Sequence, residues 1–598
     1  MPDRIQKTWG ANLTSGDVAH FRLWAPDERA VRLVLDGVSH SMRAVEGGWF
    51  EVSARARAGD RYWFELSDGT CVADPAACAQ AEGAFGPSIL VDHSAYAWKA
   101  AAWRGRPWEE AIISELHVGC FTPEGTFRAA AERLPHLAVA GITAIEIMPV
   151  AEFQGVRGWG YDGVLPYAPH HAYGTPDDLK ALVDAAHGLD MMVLLDVVYN
   201  HFGPEGNDLT RYASRFFNSD RPTPWGASIA FEEPAVRRFF IENALYWLRD
   251  FRFDGLRLDA TDQIRDTSEP HFLAALAREA SETLADRNVH LVVEDATRRR
   301  NLVRRNDDGT VALYTAGWND DFHHAFHVVA TGEDRGFYQP FAKHPWQAMR
   351  EAMSDGFVSP KTAKGIALDP TDGLHRTDGR VPPQARVSFL QNHDQIGNRA
   401  FGERLASLGD SVQLRVMTAL LMLSPQIPLL FMGEEYGETQ PFFFFADYQD
   451  ELGAAVRRGR LEEARSFGGM PHGKTADDLP DPLDPRTFAA SKLHWERAES
   501  GAGRSHLAFM RQLADVRRRH IVPLLSDCSL PSFKVHPARD GIVAIDWSFG
   551  GPVLELRANL SADRCAVPPI HGEPIFGGEG LERSELPGSS VVAAVRSN

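Results

Sequence analysis

The run Met191-Met-Val-Leu-Leu-Asp-Val-Val-Tyr-Asn-His201 decides how this chain folds. An unbroken apolar stretch ends abruptly in an acid, an amide and an imidazole. Near-continuous apolar strands are expected where both faces of a parallel sheet are covered. A polar end marks the side on which such sheets build their sites. Working outward, the design recurs in Asp254-Gly-Leu-Arg-Leu-Asp259, in Leu291-Val-Val-Glu294 followed by Asp295, and in Val387-Ser-Phe-Leu390 followed by Gln391-Asn-His-Asp394. Ile112-Ile113, Ala144-Ile-Glu-Ile-Met148 and Ile427-Pro-Leu-Leu-Phe431 supply further strands. Helical stretches lie between: from Pro234 to Asp250, Val236, Phe239, Phe240, Ala244, Trp247 and Leu248 recur at helical spacing, and Pro234 suits a first turn. Alternation from about residue 111 to 520 predicts an α/β fold, either a closed (β/α)8 barrel or an open doubly wound sheet.

The flanks read differently. Phe21–Trp24, Val31–Leu35 and Tyr62–Leu66 are short alternating strands, punctuated by Asp36-Gly37, Gly47-Gly48 and Asp68-Gly69. That pattern predicts a β-sandwich over residues 1–95. Trp98, Trp103 and Trp108 sit in a connector. Gly541–Asp546, Pro552–Arg557 and Ser590–Ala594 return to β-type signals, so residues 521–598 are expected to form a second small all-β sandwich, with the barrel and its insertions at 96–520.

With 62 Lys+Arg against 81 Asp+Glu the net charge is −19, which repels phosphate backbones and anionic lipid surfaces. Neither nucleic acid nor a membrane is an expected partner; a neutral, polar substrate is. Cys71, Cys78, Cys120, Cys528 and Cys565 are scattered and form no Cys-x-x-Cys pair, so neither zinc nor a disulfide framework is expected. The start, MPDRIQKTWG, lacks the apolar core of a signal peptide. The apolar stretch Val416–Met432 is broken by Ser424, Pro425, Gln426 and Pro428. A soluble cytoplasmic protein is the expectation.

In a parallel barrel the C-terminal strand ends face one mouth, so Asp196, Asp259, Glu294 and Asp394 would converge there. Several carboxylates around a neutral polyol suit glycoside hydrolysis, which needs one ionised group and one protonated group. Crowding like charges raises the pKa of one member, which makes the acid role possible near neutrality. Spacing alone does not assign the roles.

Asp196-Val-Val-Tyr-Asn-His201, Gly255-Leu-Arg-Leu-Asp259, Val293-Glu294 and Gln391-Asn-His-Asp394 resemble, in order, the four signature regions of the α-amylase superfamily. The resemblance implies a (β/α)8 TIM barrel with Asp259 as nucleophile, Glu294 as general acid/base and Asp394 as the carboxylate that binds and distorts the sugar. It implies that Arg257 pairs with the nucleophile, that His201 and His393 contact the reacting sugar, and that Tyr161 stacks on it. Retention of configuration goes with carboxyls about 5–5.5 Å apart.

Glu115-Leu-His-Val-Gly119, Trp159-Gly-Tyr-Asp162 and Tyr173-Gly-Thr-Pro176 are similar to segments of branching enzymes. Trp318-Asn-Asp-Asp-Phe-His-His324, Gln391–Asn398 and Phe431-Met-Gly-Glu-Glu435 resemble the malto-oligosyltrehalose trehalohydrolase family more closely. Members of that family cut the α-1,4 bond next to a terminal trehalose unit, releasing trehalose and a malto-oligosaccharide. The resemblance also implies a functional link to a malto-oligosyltrehalose synthase. The alternative is an α-1,4-glucan branching enzyme, which transfers to a sugar hydroxyl in place of water. Two departures stand out: Gly317 before Trp318, where a polar residue is usual, and Ala76-Ala77-Cys78 in place of a Ser-Arg ending.

Other residues carry two readings. Asp320 and Asp321 either cap a helix or bind the departing trehalose. Trp225 either stacks on a sugar or fills core, and Phe442–Phe445 reads as core. Glu115 and His117 read as a pair that either supports the site from behind or forms the barrel floor. Adjacent His323 and His324 diverge on a helix and do not share an ion. Asn200 stands where calcium-dependent amylases place a ligand, but no set of oxygen ligands accompanies it, so neither a metal nor another cofactor is expected.

Overall fold

The computed structural model describes residues 7–14, 17–363, 381–466, 470, 473–526, 530–580 and 584–597. Its centre is a closed barrel of parallel strands: β1 (Ile113–Leu116), β2 (Ala144–Ile147), β3 (Met192–Val197), β4 (Gly255–Leu258), β5 (His290–Val293), β6 (Ala316–Trp318), β7 (Arg386–Phe389) and β8 (Ile427–Phe431). Closure rests on β1, which pairs with β2 through Ile113↔Ala144 and with β8 through Ile113↔Leu429. The open-sheet alternative is thereby removed. β6 is the strand that sequence reading did not mark, because three residues, one of them Gly317, are too few to show a period.

Side chains alternate across a strand, so every second residue points inward. Ile113, Ala144, Met192, Leu194, Val292, Ala316, Val387, Phe389, Ile427 and Leu429 fill the interior, with Trp108 packed against them. One step further along the same faces stand Glu115, Glu146, Asp196 and Arg257. The apolar layer therefore gives way to a charged layer at the C-terminal ends.

Helix Pro234–Asp250 forms as expected, with proline in its first turn and Val236, Phe239, Phe240, Trp247 and Leu248 buried. Long excursions leave the mouth side. The β2–β3 connection carries the pair Ala151–Glu152 and Leu165–Pro169, and the β3–β4 connection carries the hairpin Phe217–Thr223 with Gly226–Ile229.

The N-terminal region is two sheets. One runs Gly10–Leu13, Val18–Trp24, Trp49–Arg55, Arg43–Val45, and the other is built on Val38–Ser41, Arg32–Leu35, Arg61–Glu65 and Cys71–Val72. Trp9 ties it to the barrel, meeting Trp49 and Phe239 edge-on with ring centroids 5.0 Å apart in each case. The C-terminal region is a five-stranded antiparallel sheet, in the order Ser532–Val535, Ile542–Ser548, Val553–Asn559, Ser590–Arg596, Glu573–Phe576. Val416–Met432 resolves into part of helix Ser411–Leu423 and strand β8. Among the described residues no helix is long and apolar enough to cross a membrane. Cys71, Cys78, Cys120 and Cys565 are free thiols, and Cys528 lies outside the described residues.

Candidate active site

Arg257 is the inward residue of β4, and its side chain is fully buried at the centre of the charged layer. Its Nη1 lies 2.7 Å from Asp196 Oδ2 and 2.8 Å from Asp259 Oδ1, while Nη2 lies 2.8 Å from Glu294 Oε2. One guanidinium thus joins carboxylates from the ends of β3, β4 and β5. Its plane sits over the indole of Trp318, 4.0 Å from the ring centre, so β6 supplies the floor.

Asp259 is held from its other side. Asn200 Nδ2 donates to Asp259 Oδ2 at 2.7 Å and to its backbone oxygen at 2.9 Å. In this structure the Asn200 amide serves the carboxylate. Ala260 follows in the left-handed region, with φ of 38°, a conformation that costs a residue with a Cβ. That turn aims the Ala260 N–H at Glu294 Oε2, 3.0 Å away. Glu294 Oε2 is therefore engaged twice, by a hydrogen bond from Ala260 and an ion pair with Arg257, and Oε1 is the oxygen left for another partner.

The two acids that flank the mouth are pushed in opposite directions. Burial raises the Glu294 carboxyl well above the usual range; Arg257 opposes this, but Asp259, Asp394 and Asp320 add to it. For Asp394 burial would also raise the pKa, yet the His393 ring 3.4 Å from Oδ1 lowers it below the ordinary value. Burial, joined by Asp259, lifts Asp196 to about 6 even against Arg257. Asp196 also accepts from Tyr161 Oη at 2.7 Å.

Asp394 reaches the mouth because Asn392 caps the short helix His393–Gly397, its side chain accepting from the Asp394 N–H. His393 is packed between Tyr161, stacked at 5.1 Å, and Trp159, edge-on at 5.4 Å. His201 shares a hydrogen bond with Asn200 and stacks flat on Trp225 at 4.5 Å. Trp225 is 51% exposed, so it belongs to the rim of the mouth and the core reading is corrected. Phe442 and Phe445 are buried, against Trp159 and His117 respectively.

The structure separates the neighbours Asp320 and Asp321. Asp320 accepts from Gln395 at 3.3 Å and is raised to about 6 by burial and by Asp394. Asp321 binds Arg298 and the Val358 N–H; with 4% side-chain exposure it offers no face to a sugar and is not brought to the carboxylate group. Successive residues on a helix diverge by about 100°. His323 is likewise used internally, by the Leu390 oxygen and the Tyr338 hydroxyl.

Two further readings are corrected. Glu115 pairs with His393, not with His117, whose Nε2 lies 2.9 Å from the Gly158 oxygen. Asp254, written in the same motif as Arg257, precedes β4 and lies at the opposite end of the barrel. There it accepts from Trp103, His187 and the Val193 N–H at 2.7, 2.8 and 2.9 Å. Asn200 is the member of the group to which sequence reading gave no such place, whereas Asp196 stands at the mouth as its strand-end position implied. The signal was present, because Asp196 continues the inward alternation Met192, Leu194.

Comparison with known proteins finds relatives over most of the chain. Residues 64–222 match the α-amylase catalytic domain, and residues 533–593 match a domain of unknown function, DUF3459. The malto-oligosyltrehalose trehalohydrolase of Deinococcus radiodurans is 42% identical over 85% of this chain and 82% of its own. That of Brevibacterium helvolum is 34% identical over 96% of both. A branching enzyme of Streptomyces avermitilis is 37% identical, but over only 40% of this chain and 45% of its own. The crystal structure of a putative alpha amylase from Salmonella typhimurium superimposes with a TM-score of 0.92 at 46% identity, covering 99% of this chain and 100% of that one. The pullulanase of Paenibacillus barengoltzii shares the fold, with a TM-score of 0.73 at 19% identity, over 100% of this chain and 96% of its own. On the length and identity of these matches, the chain belongs to the malto-oligosyltrehalose trehalohydrolase family of α-amylase-type enzymes.

Proposed function

We propose that this protein is a retaining glycosidase that cleaves the α-1,4 bond next to the terminal trehalose of malto-oligosyltrehalose. The observation that carries the reading is Arg257 held between two acids that need opposite protonation states. The guanidinium and the Asn200 amide each hold one Asp259 oxygen and so orient the carboxylate for attack on the anomeric carbon. Glu294 keeps its proton, and because Oε2 is engaged by Arg257 and Ala260, that proton sits on Oε1. In the first displacement Oε1 gives the proton to the glycosidic oxygen, the C1–O bond breaks, trehalose leaves, and Asp259 bonds to C1. In the second, Glu294 takes a proton from water, the water oxygen attacks C1, and Asp259 is released with the malto-oligosaccharide.

Asp394, kept ionised beside His393, is suited to hold two sugar hydroxyls and to stabilise positive charge in the transition state. Tyr161 and His201 line the reacting sugar. Trp225 offers an exposed ring for stacking, and Asp320 a hydroxyl acceptor on the far side of Asp394. Asp321 is left out of this assignment. The enzyme works in the cytoplasm, downstream of a synthase that makes the trehalose-ended substrate, and the net charge of −19 suits a neutral sugar chain.

The test is product analysis after incubation with malto-oligosyltrehalose and, separately, with maltoheptaose. Trehalose released from the first, with little change in the second, is the expected result. Comparable cutting of both would replace the reading with a general amylase. New α-1,6 branches without free trehalose would replace it with the branching enzyme.

A further inference from the structure

Glu115 and Glu146 stand directly opposite each other on adjacent parallel strands, and each is only 1% exposed. Two like charges buried so deeply side by side do not both persist. Their surroundings differ sharply. Glu115 Oε2 accepts from the His393 backbone N–H at 3.1 Å, and Oε1 pairs with His393 Nδ1. Both oxygens of Glu146 are buried without a hydrogen-bond partner among the described residues. An ionised carboxylate left so bare is heavily penalised. The neutral acid costs far less.

His393 is the link between this layer and the mouth. Its Nδ1 faces Glu115 and its Nε2 faces Asp394 Oδ1 at 3.4 Å, so the ring spans two carboxylates. Neutral imidazole has one N–H and one lone pair, and in this span the lone pair would point at an anion. Tyr161 and Trp159 prevent the ring from turning away.

We propose that Glu115 is a positioning residue that holds His393 as an imidazolium against Asp394, and that Glu146, the same residue type one strand away, is its neutral counterpart. The part this plays in turnover rests on the proposed role of Asp394. The charged and titratable groups facing His393 are Glu115 from β1, Glu146 from β2, His117 beyond β1, Tyr161 from the β2–β3 connection and Asp394 on its own helix. Their balance agrees with the geometry. Burial would lower His393, but Asp394 and Glu115 raise it well above its ordinary value. Burial, then Glu115 and Asp196, raise Glu146. Burial drives His117 to about 4 despite its bond to Gly158, and His393 adds to the drop, so a second cation does not compete.

The test uses the full chain with isotope-labelled histidine, the His393 signals being identified by their loss in His393→Gln. At about pH 8 an ordinary imidazole is neutral. The expected result is a doubly protonated His393 ring in the wild type and in Glu146→Gln, and a neutral ring in Glu115→Gln. In the trehalose-release assay, Glu115→Gln should lower kcat about 10- to 100-fold and move the acid limb of the pH profile upward by about one unit, because Asp394 loses its cationic neighbour. Glu115→Asp should restore part of both and guards against a simple folding loss. Glu146→Gln should stay within about threefold of wild type with an unchanged profile. A neutral wild-type ring, a cation that survives Glu115→Gln, or one lost in Glu146→Gln would each overturn the proposal. The spectra need no substrate, so a wild type that fails to release trehalose would refute the proposed function while the protonation states still decide this inference.

Discussion

Arg257 places its two terminal nitrogens on two different acids, Nη1 at 2.8 Å from Asp259 Oδ1 and Nη2 at 2.8 Å from Glu294 Oε2. A planar fork fixes the separation and tilt of both carboxyls at once. Lysine offers a single point charge and cannot do this. Arg257→Lys is therefore expected to lower kcat by about 10²- to 10³-fold with a smaller change in KM. Steady-state kinetics on malto-oligosyltrehalose checks it, and a variant within a few fold of wild type would remove the arginine from the proposed mechanism.

The two principal acids should fail differently. Asp259→Ala and Glu294→Gln are each expected to cost at least about 10²- to 10⁴-fold on the natural substrate. With a glycosyl fluoride, whose leaving group needs no proton, Glu294→Gln should still form the covalent intermediate and added azide should speed its breakdown. Asp259→Ala should not respond. Equal behaviour of the two variants would reverse or dissolve the assignment.

The pH dependence follows from the directions at the mouth. Asp394 is held low by His393, and Glu294 is raised by burial among Asp259, Asp394 and Asp320. The active form, with Asp394 ionised and Glu294 protonated, is thus populated from below the ordinary aspartate range to above the ordinary glutamate range. The profile of kcat/KM should be a broad bell whose basic limb lies well above about pH 4.5. On the glycosyl fluoride, Glu294→Gln should lose that basic limb.

Trp225 is half-exposed and stacked on His201, so its loss removes a surface for sugar more than a piece of core. Trp225→Ala is expected to raise KM about three- to tenfold, in keeping with the ~0.5–1.5 kcal/mol of an aromatic stacking contact. Its thermal midpoint should not change. A fall in stability with unchanged KM would return Trp225 to a structural role.

Asp254 gathers hydrogen bonds from Trp103, His187, Val193 and Arg287 at the end of the barrel away from the mouth. Asp254→Ala should destabilise the fold by about 3–5 kcal/mol, because it leaves buried donors and cations unpaired. Activity at low temperature should persist. Burial opposes ionisation of Asp254, but His187 and Arg287 hold its pKa below the unfolded value. The stability it adds is present above about pH 4 and is lost as acid titrates the folded carboxyl, so the gap to Asp254→Asn should narrow in acid. Thermal unfolding from about pH 7 down to 3 reads this directly.

Much of the site was legible because barrel chemistry is written at strand ends. Asp259, Glu294 and Asp394 each follow an apolar run, and one mouth gathers whatever those runs end in. β6 was not legible, since Ala316–Trp318 is too short to carry a period, and its contribution is the indole beneath Arg257. Asp254 and Asp259 show the limit of reading a motif as a unit. They are five residues apart, yet a strand of about 3.3 Å per residue carries them to opposite ends of the barrel.

The order of residues carries the alternation of strands and helices, the flanking β-regions, the acids that could meet and the family whose motifs they resemble. Hydrophobic periodicity and local order are enough for that. Which acids share a cation, that Asp320 faces the mouth while Asp321 faces Arg298, and that Glu115 serves His393 across 278 residues of chain emerge with the closed barrel. The physical reason is that protonation and pairing depend on distance and burial in three dimensions. Two glutamates in identical strand positions differ in nothing the chain records until closure of the barrel brings a histidine to one of them.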